Sequence, residues 1–318
     1  MKVLITAPMY CSEQMKDVME YAYQSFDEVV LNPYRRTMSH EEIASLWSDV
    51  DAVIAGVEQW DADFIQTAPP SMKIIARNGI GYDNVDISAA AARGIVVTVT
   101  REANSDSVAD CTIALMLALA RHIIPMDQAV RSGNWGYTVA DDLFEKTIGI
   151  LGFGAIGQRI AKRAAGFSMN ILAHDPYLPG DRFAALGAKK AGTEEIYRNA
   201  DFVVCTGPLT KERYHMINAE TLAMMKPTAY LVNTARGGLV DEDALYHALK
   251  ANQIAGAGLD VFNEEPLRQS PLFELENVVF LPHLGGHSKG ATHNMGRMNI
   301  DNILAVSTGK PCKNIVAP

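Results

Sequence analysis

The chain has 318 residues, 48% of them hydrophobic and 20% charged, a globular mixture long enough for two domains with separate cores. A formal charge of −9, with no basic run anywhere, argues against a partner made of nucleic-acid phosphates or an anionic membrane surface. The longest apolar run, Cys111–Ala120, is too short to span a bilayer and reads as a buried helix.

The opening "MKVLITAP" passes straight from Lys2 into a strand-like run without a secretory apolar segment, so a cytoplasmic protein is expected. Cys11, Cys111, Cys205 and Cys312 are widely scattered, which fits reduced thiols and gives no metal site.

Short β-rich runs alternate with helix-like stretches, the pattern of an α/β chain whose parallel sheets are covered on both faces. In the first part the strands are expected at Val3–Ala7, Ala52–Ala55, Lys73–Ala76 and Ile95–Val99. Helices are expected near Glu13–Tyr23, His40–Trp47, Asp61–Thr67 and Val85–Arg93. A long apolar-periodic stretch, Ser105–Arg121, follows, and Pro125 suits the first turn of another helix. A second wound unit has strands near Thr147–Leu151, Asn170–Ala173, Phe202–Thr206, Ala229–Asn233, Ala257–Leu259 and Val278–Leu281. Ser288–Thr308 has helical spacing and stops at Gly309 and Pro311. The fold class is therefore two doubly wound parallel-sheet domains.

On the first strand of the second unit lies Gly152-Phe153-Gly154-Ala155-Ile156-Gly157, a G-x-G-x-x-G turn between an apolar strand and a helix. Such glycines allow a tight turn, close approach to a pyrophosphate and tight helix–strand packing, while helix-start amides face the phosphates. Asp175 comes eighteen residues after Gly157, at the end of the next strand, where a ribose-binding carboxylate is expected. No Arg or Lys follows in "PYLPG" to receive a 2′-phosphate, so NAD is expected over NADP.

Five further blocks carry a resemblance: "ARNGIGYDNVD" (Ala76–Asp86), "ANSDSVAD" (Ala103–Asp110), "VNTARGGLVDEDAL" (Val232–Leu245), "GLDVFNEEPL" (Gly258–Leu267) and "LPHLGGHS" (Leu281–Ser288). With the fingerprint they run through almost the whole chain, which resembles the D-isomer-specific 2-hydroxyacid dehydrogenases and most closely their phosphoglycerate-dehydrogenase-like branch. The resemblance implies a Rossmann NAD domain, residues 101–286 with dimerisation helices, inserted into a flavodoxin-like substrate domain of residues 1–100 and 287–318. It also implies an active-site cleft between the two domains and a homodimer through the Ser105–Arg121 region.

Oxidising a hydroxy acid at C2 requires a group that takes the hydroxyl proton, and a histidine suits that work near neutral pH. The resemblance assigns it to His283, with Glu265 pairing to the imidazole and holding its tautomer. Arg236, after the strand-like "VNTA", has the planar fork that binds a carboxylate and polarises the C2 oxygen. Arg77, Asn78 and Gly79 form a glycine-bearing strand end suited to a substrate carboxylate, and Ile80 is implied to approach the nicotinamide. Asp260, Thr234, Ala235, Gly207, Pro208, Gly285 and Gly286 complete the implied cofactor contacts, together with Arg236 and His283. No firm role emerges for His287.

Arg77 favours a phosphorylated acid, but Glu58 occupies the loop where phosphoglycerate dehydrogenases offer another arginine. No regulatory tail domain follows Thr308, so serine feedback through such a domain is not expected. Hydroxypyruvate or glyoxylate reduction is an alternative, and an NAD-sensing binding protein related to transcriptional corepressors is a reading of another class.

Overall fold

A computed structural model describes residues 1–317. The chain forms two compact units, Met1–Asn104 joined by the segment from His287 onward, and Ser105–Gly286.

The first unit has strands β1 (Lys2–Ile5), β2 (Glu28–Leu31), β3 (Ala52–Ala55), β4 (Ile74–Arg77) and β5 (Val96–Thr98). They lie parallel in the order β2-β1-β3-β4-β5. Helices α1 (Lys16–Ser25), α2 (His40–Ala44), α3 (Ala62–Gln66) and α4 (Ile87–Ala92) make the crossovers. The run "AVIA" of β3 is apolar at every position because both faces of this central strand are covered, and all four residues are buried. Helix starts follow from capping chemistry: Asp61 accepts from the Phe64 amide, Asp86 from the Ala89 amide, and Ser39 with Glu42 forms a capping box.

Near the start of the chain the structure departs from expectation at α1 and β2. The helix expected over Glu13–Tyr23 begins late, because 3-10 turns at Pro8–Cys11 and Glu13–Met15 precede α1. Edge strand β2 gives no alternating signal, since "EVVL" has one covered neighbour and is only partly buried along its length.

The second unit opens with α5 (Ser105–Ala120) and α6 (Ile123–Arg131). Then come β6 (Thr147–Leu151), α7 (Ala155–Gly166), β7 (Asn170–His174), α8 (Gly180–Ala184), β8 (Ala188–Lys190), α9 (Thr193–Asn199) and β9 (Phe202–Cys205). It continues with α10 (Ala219–Met224), β10 (Tyr230–Asn233), α11 (Glu242–Lys250), β11 (Gly256–Leu259) and β12 (Val278–Phe280). All seven strands are parallel, in the order β12-β11-β10-β9-β6-β7-β8. Strand order reverses between β6 and β9, and in such sheets ligands bind outside the carboxyl ends at that switch point.

The return segment carries α12 (Lys289–Ser307), which packs on α1 and β4, and β13 (Ile315–Val316), which pairs antiparallel with β5. The expected α/β class with two parallel sheets is what the chain forms. Among the described residues no single helix is long and apolar enough to cross a membrane. The bent pair α5–α6 passes that test by length and composition, and α5 buries most of its residues inside its own unit.

Candidate active site

The glycine turn follows β6 directly. Gly152 has φ 117°, a conformation open to glycine, and a Cβ there would lie 2.7 Å from the Gly207 amide nitrogen. A Cβ on Gly157 would lie 2.2 Å from the Gly152 carbonyl oxygen, so the third glycine serves helix–strand packing. Gly154 is different: nothing stands within 4 Å of where its Cβ would be. The protein's own packing does not require that glycine, whereas close approach of an outside group does. No side chain caps α7, which leaves its first amides, those of Ala155 and Ile156, for an external acceptor.

Asp175 converges on the same turn. Its Oδ2 accepts from the Phe153 amide at 3.1 Å and its Oδ1 from the Tyr177 amide at 3.0 Å, which fixes the carboxylate beside the fingerprint. Thr206 adds a hydroxyl bond of 2.6 Å to the Gly152 carbonyl, tying the end of β9 to the end of β6. The cradle therefore fits a dinucleotide: an open glycine, uncapped helix amides and a fixed carboxylate lie together at the switch point.

Arg236 follows β10, and Asn233 shapes its turn. Asn233, fully buried, accepts from the Ala235 amide at 3.1 Å and donates to the Arg236 carbonyl at 2.9 Å. Sequence reading missed this residue, although a polar side chain at the end of an apolar strand was the available signal. A cavity of about 630 Å³ opens beside Arg236, lined also by Tyr214, His215, Asp241 and Phe262. Thr234, nearly buried, shares a 2.9 Å hydroxyl bond with Thr112 on α5.

His283 follows β12 with φ 55°, an uncommon conformation for a non-glycine residue. Its amide donates to the Asp260 carbonyl at 2.8 Å, and its Nδ1 meets Glu265 Oε2 at 2.7 Å. Glu265 Oε1 in turn accepts from the Phe262 amide at 3.0 Å. With Nδ1 occupied, Nε2 is the nitrogen left to exchange a proton with a substrate. Burial acts upward on Glu265, but the His283 bond, the Phe262 amide and the positive charges of His283 and Arg236 outweigh it, holding this carboxyl below its ordinary range. Arg236, Glu265 and His283, distant in sequence, thus form one electrostatic cluster.

Asp260 anchors this cluster. It is 2% exposed, and its two oxygens accept from the Leu284 and Gly285 amides at 2.8 and 2.9 Å. Burial raises its pKa, and those two amide bonds oppose the rise. Ser107 closes the loop from the other side with a 2.7 Å bond to the Gly285 carbonyl. The observed work of Asp260 is to hold the His283 loop.

In the first unit the loop after β4 is shaped by its own bonds. The Asn78 amide donates to the Ala55 carbonyl and the Gly79 amide to the Arg77 carbonyl, both at 2.9 Å. The Asn78 side chain is also engaged: its Oδ1 accepts from Asn299 at 2.9 Å and from the Tyr10 hydroxyl at 3.3 Å. Among the described residues neither the Ile80 nor the Gly81 amide is hydrogen-bonded, and Gly81 is a residue that sequence reading did not single out. Arg77 Nε donates to Asn84 at 3.2 Å. Glu58 is 5% exposed and faces inward, its Oε1 receiving Thr6, the Gly56 amide at 2.9 Å and the Trp60 indole at 3.2 Å, while Oε2 has no partner.

Among the described residues no group of three or more His, Cys, Asp or Glu side chains is placed to hold a metal ion. Three of the remaining histidines bond locally, His40 to the Gln59 carbonyl, His174 to the Ala191 carbonyl and His293 to Asp17.

Residues 113–285 match the family described as D-isomer specific 2-hydroxyacid dehydrogenase, NAD binding domain. The chain is 44% identical over 272 residues to a glyoxylate reductase of Pyrococcus horikoshii, covering 82% of this chain and 81% of the relative. It is 37% identical to a D-3-phosphoglycerate dehydrogenase of Methanocaldococcus jannaschii, covering 99% of this chain and 59% of that longer protein. A solved glyoxylate reductase from Paecilomyes thermophila superposes with a TM-score of 0.87 at 30% identity, covering 99% of this chain and 98% of that one. The chain belongs to the D-isomer-specific 2-hydroxyacid dehydrogenase family and is an NAD-dependent oxidoreductase acting on CH–OH groups.

Proposed function

We propose that this enzyme works as an NADH-dependent reductase of small, unphosphorylated 2-keto acids, with glyoxylate and hydroxypyruvate as its substrates. The observation that carries the reading is the His283–Glu265 pair at 2.7 Å within the field of Arg236, a proton donor and a cation for one carbonyl. Relatives named glyoxylate reductase, 41–44% identical, support the substrate class. The loop after β3, residues 56–60, holds no arginine or lysine to receive a phosphate, which supports the unphosphorylated choice.

The residue roles follow. Asp175 takes the adenosine ribose hydroxyls, and the amides of Ala155 and Ile156 take the pyrophosphate. Thr234, Ala235, Gly207, Pro208, Gly285 and Gly286 line the cofactor. When bound, the nicotinamide supplies the hydride that C2 of the keto acid accepts. Arg236 holds the substrate and polarises its C2 oxygen, and His283 Nε2 delivers the proton that makes that oxygen a hydroxyl. Glu265 keeps the imidazole oriented through its Nδ1. In the first unit we assign carboxylate recognition to the loop of Arg77, Asn78 and Gly79, through the open amides of Ile80 and Gly81, with Ile80 toward the nicotinamide.

The test is a panel of glyoxylate, hydroxypyruvate, pyruvate and 3-phosphohydroxypyruvate with NADH and NADPH. Highest kcat/KM for glyoxylate or hydroxypyruvate with NADH is expected. Preference for the phosphorylated acid would overturn the substrate assignment.

A homodimer belongs to the same reading. Between α6 and β6 the chain exposes Trp135, Tyr137 and Val139, each close to nine-tenths open, beside Ile123, Val130 and Phe144. Large apolar side chains left exposed within one short segment mark an association surface. Sedimentation velocity is expected to give twice the 34.6 kDa chain mass, and a monomer after Trp135→Asp with Tyr137→Asp. A wild-type monomer at micromolar concentration would contradict it. A cytoplasmic location, consistent with four unpaired cysteines, is checked by cell fractionation.

A further inference from the structure

Arg213 lies at the reversal point of the second sheet, and nothing so far gives it a task. Its Nη2 donates to the Leu151 carbonyl at 3.2 Å and its Nη1 to the Pro208 carbonyl at 3.0 Å. Leu151 ends β6 and immediately precedes Gly152; Pro208 follows Gly207 after β9. The guanidinium therefore bridges the two strand ends between which strand order reverses, beside the turn that carries the fingerprint. It lies close against Gly207: a Cβ there would overlap Nη1 at 1.7 Å, so this glycine makes room for the arginine.

Charge accounting singles it out. Arg159 and Arg163, on the helix that starts at the fingerprint, are bonded to Asp106 and Asp110 of α5. Among the described residues no Asp or Glu pairs with Arg213, although it is only half-exposed. A guanidinium has five donors, and the contacts to Leu151, Pro208 and the Met216 sulfur leave two of them for another acceptor. A half-buried cation without a counter-ion, next to an open glycine and uncapped helix amides, suits a dianionic ligand.

We propose that Arg213 is a cofactor-binding residue that supplies the compensating charge for the dinucleotide pyrophosphate. This rests on the reading that the cofactor occupies the Gly152–Gly157 turn. Carbonyl bonds hold the guanidinium in place beforehand, so binding does not have to order a long side chain. The charge also makes affinity sensitive to ionic strength.

The experiment measures NADH affinity by titration of the purified protein, with melting temperature as the control for folding. Arg213→Gln keeps an amide donor for the carbonyls and loses the charge. About tenfold weaker NADH binding is expected, with a shallower salt dependence. Arg213→Lys keeps the charge without the two-pronged clamp, and affinity within about threefold of wild type is expected. Unchanged affinity in Arg213→Gln would overturn the proposal, as would Arg213→Lys losing as much affinity and melting temperature as Arg213→Gln, the pattern of a structural clamp. Gly154→Ala separates the two layers of the argument. It is expected to weaken NADH binding with little change in melting temperature, and if it does not, the placement of the cofactor fails before the role of Arg213 is reached.

Discussion

Replacing His283 with alanine is expected to lower kcat/KM for keto-acid reduction by about a thousandfold while leaving NADH affinity within about twofold. The size follows from what the residue is asked to do. Hydride arriving at C2 places negative charge on the oxygen, and without a positioned proton the alkoxide is stabilised by Arg236 alone. His283 is held for this work from three sides: its amide by the Asp260 carbonyl, its Nδ1 by Glu265, and the following two amides by the Asp260 carboxylate. The substitution removes only the imidazole, because those backbone bonds remain. The left-handed backbone at this position is no better for alanine, so melting temperature should be compared in the same preparation. Loss of NADH binding in parallel with activity would point to loop collapse, and undiminished turnover would remove His283 from the chemistry.

Glu265→Gln is expected to lower kcat/KM for reduction about tenfold at neutral pH, a loss that shrinks as pH falls toward the range in which Glu265 itself is protonated. The sign follows from the carboxyl group. Held below its ordinary range by the His283 bond, the Phe262 amide and nearby positive charge, against the upward pull of burial, Glu265 is ionised at neutral pH. Its stabilising effect is present above the ordinary carboxylate range and disappears as pH falls through the depressed value. Above that value the ionised carboxylate holds the His283 ring by its Nδ1, so the variant loses most where Glu265 is charged. Glutamine retains the size and one acceptor but not the charge. A loss of kcat/KM that is the same at every pH would show that Glu265 acts by geometry alone.

Much of this was legible in the sequence because it depends on local order. A strand followed by a glycine turn and a helix announces itself in consecutive residues, and Asp175 needed only a fixed distance along the chain. Buried central strands such as β3 and β9 stand out as continuous apolar runs. The short edges did not: β8 has three residues and β13 two, and their strand character comes from the neighbour that each pairs with. The supporting side chains were hidden for the same reason. Asp260 becomes a loop anchor only when residues 24 and 25 positions later fold back onto it. Asn299 reaches Asn78 across 221 residues, and Arg213 meets Leu151 across 62. A helix period or a motif spacing carries no record of such meetings.

The most direct measurement is the configuration of the product made from hydroxypyruvate and NADH by the purified enzyme, resolved by chiral chromatography alongside NADH consumption. The account predicts D-glycerate alone, in amounts equal to the NADH oxidised, and none from the His283→Ala protein. L-glycerate, a racemic product, or no product from a protein that binds NADH would contradict it.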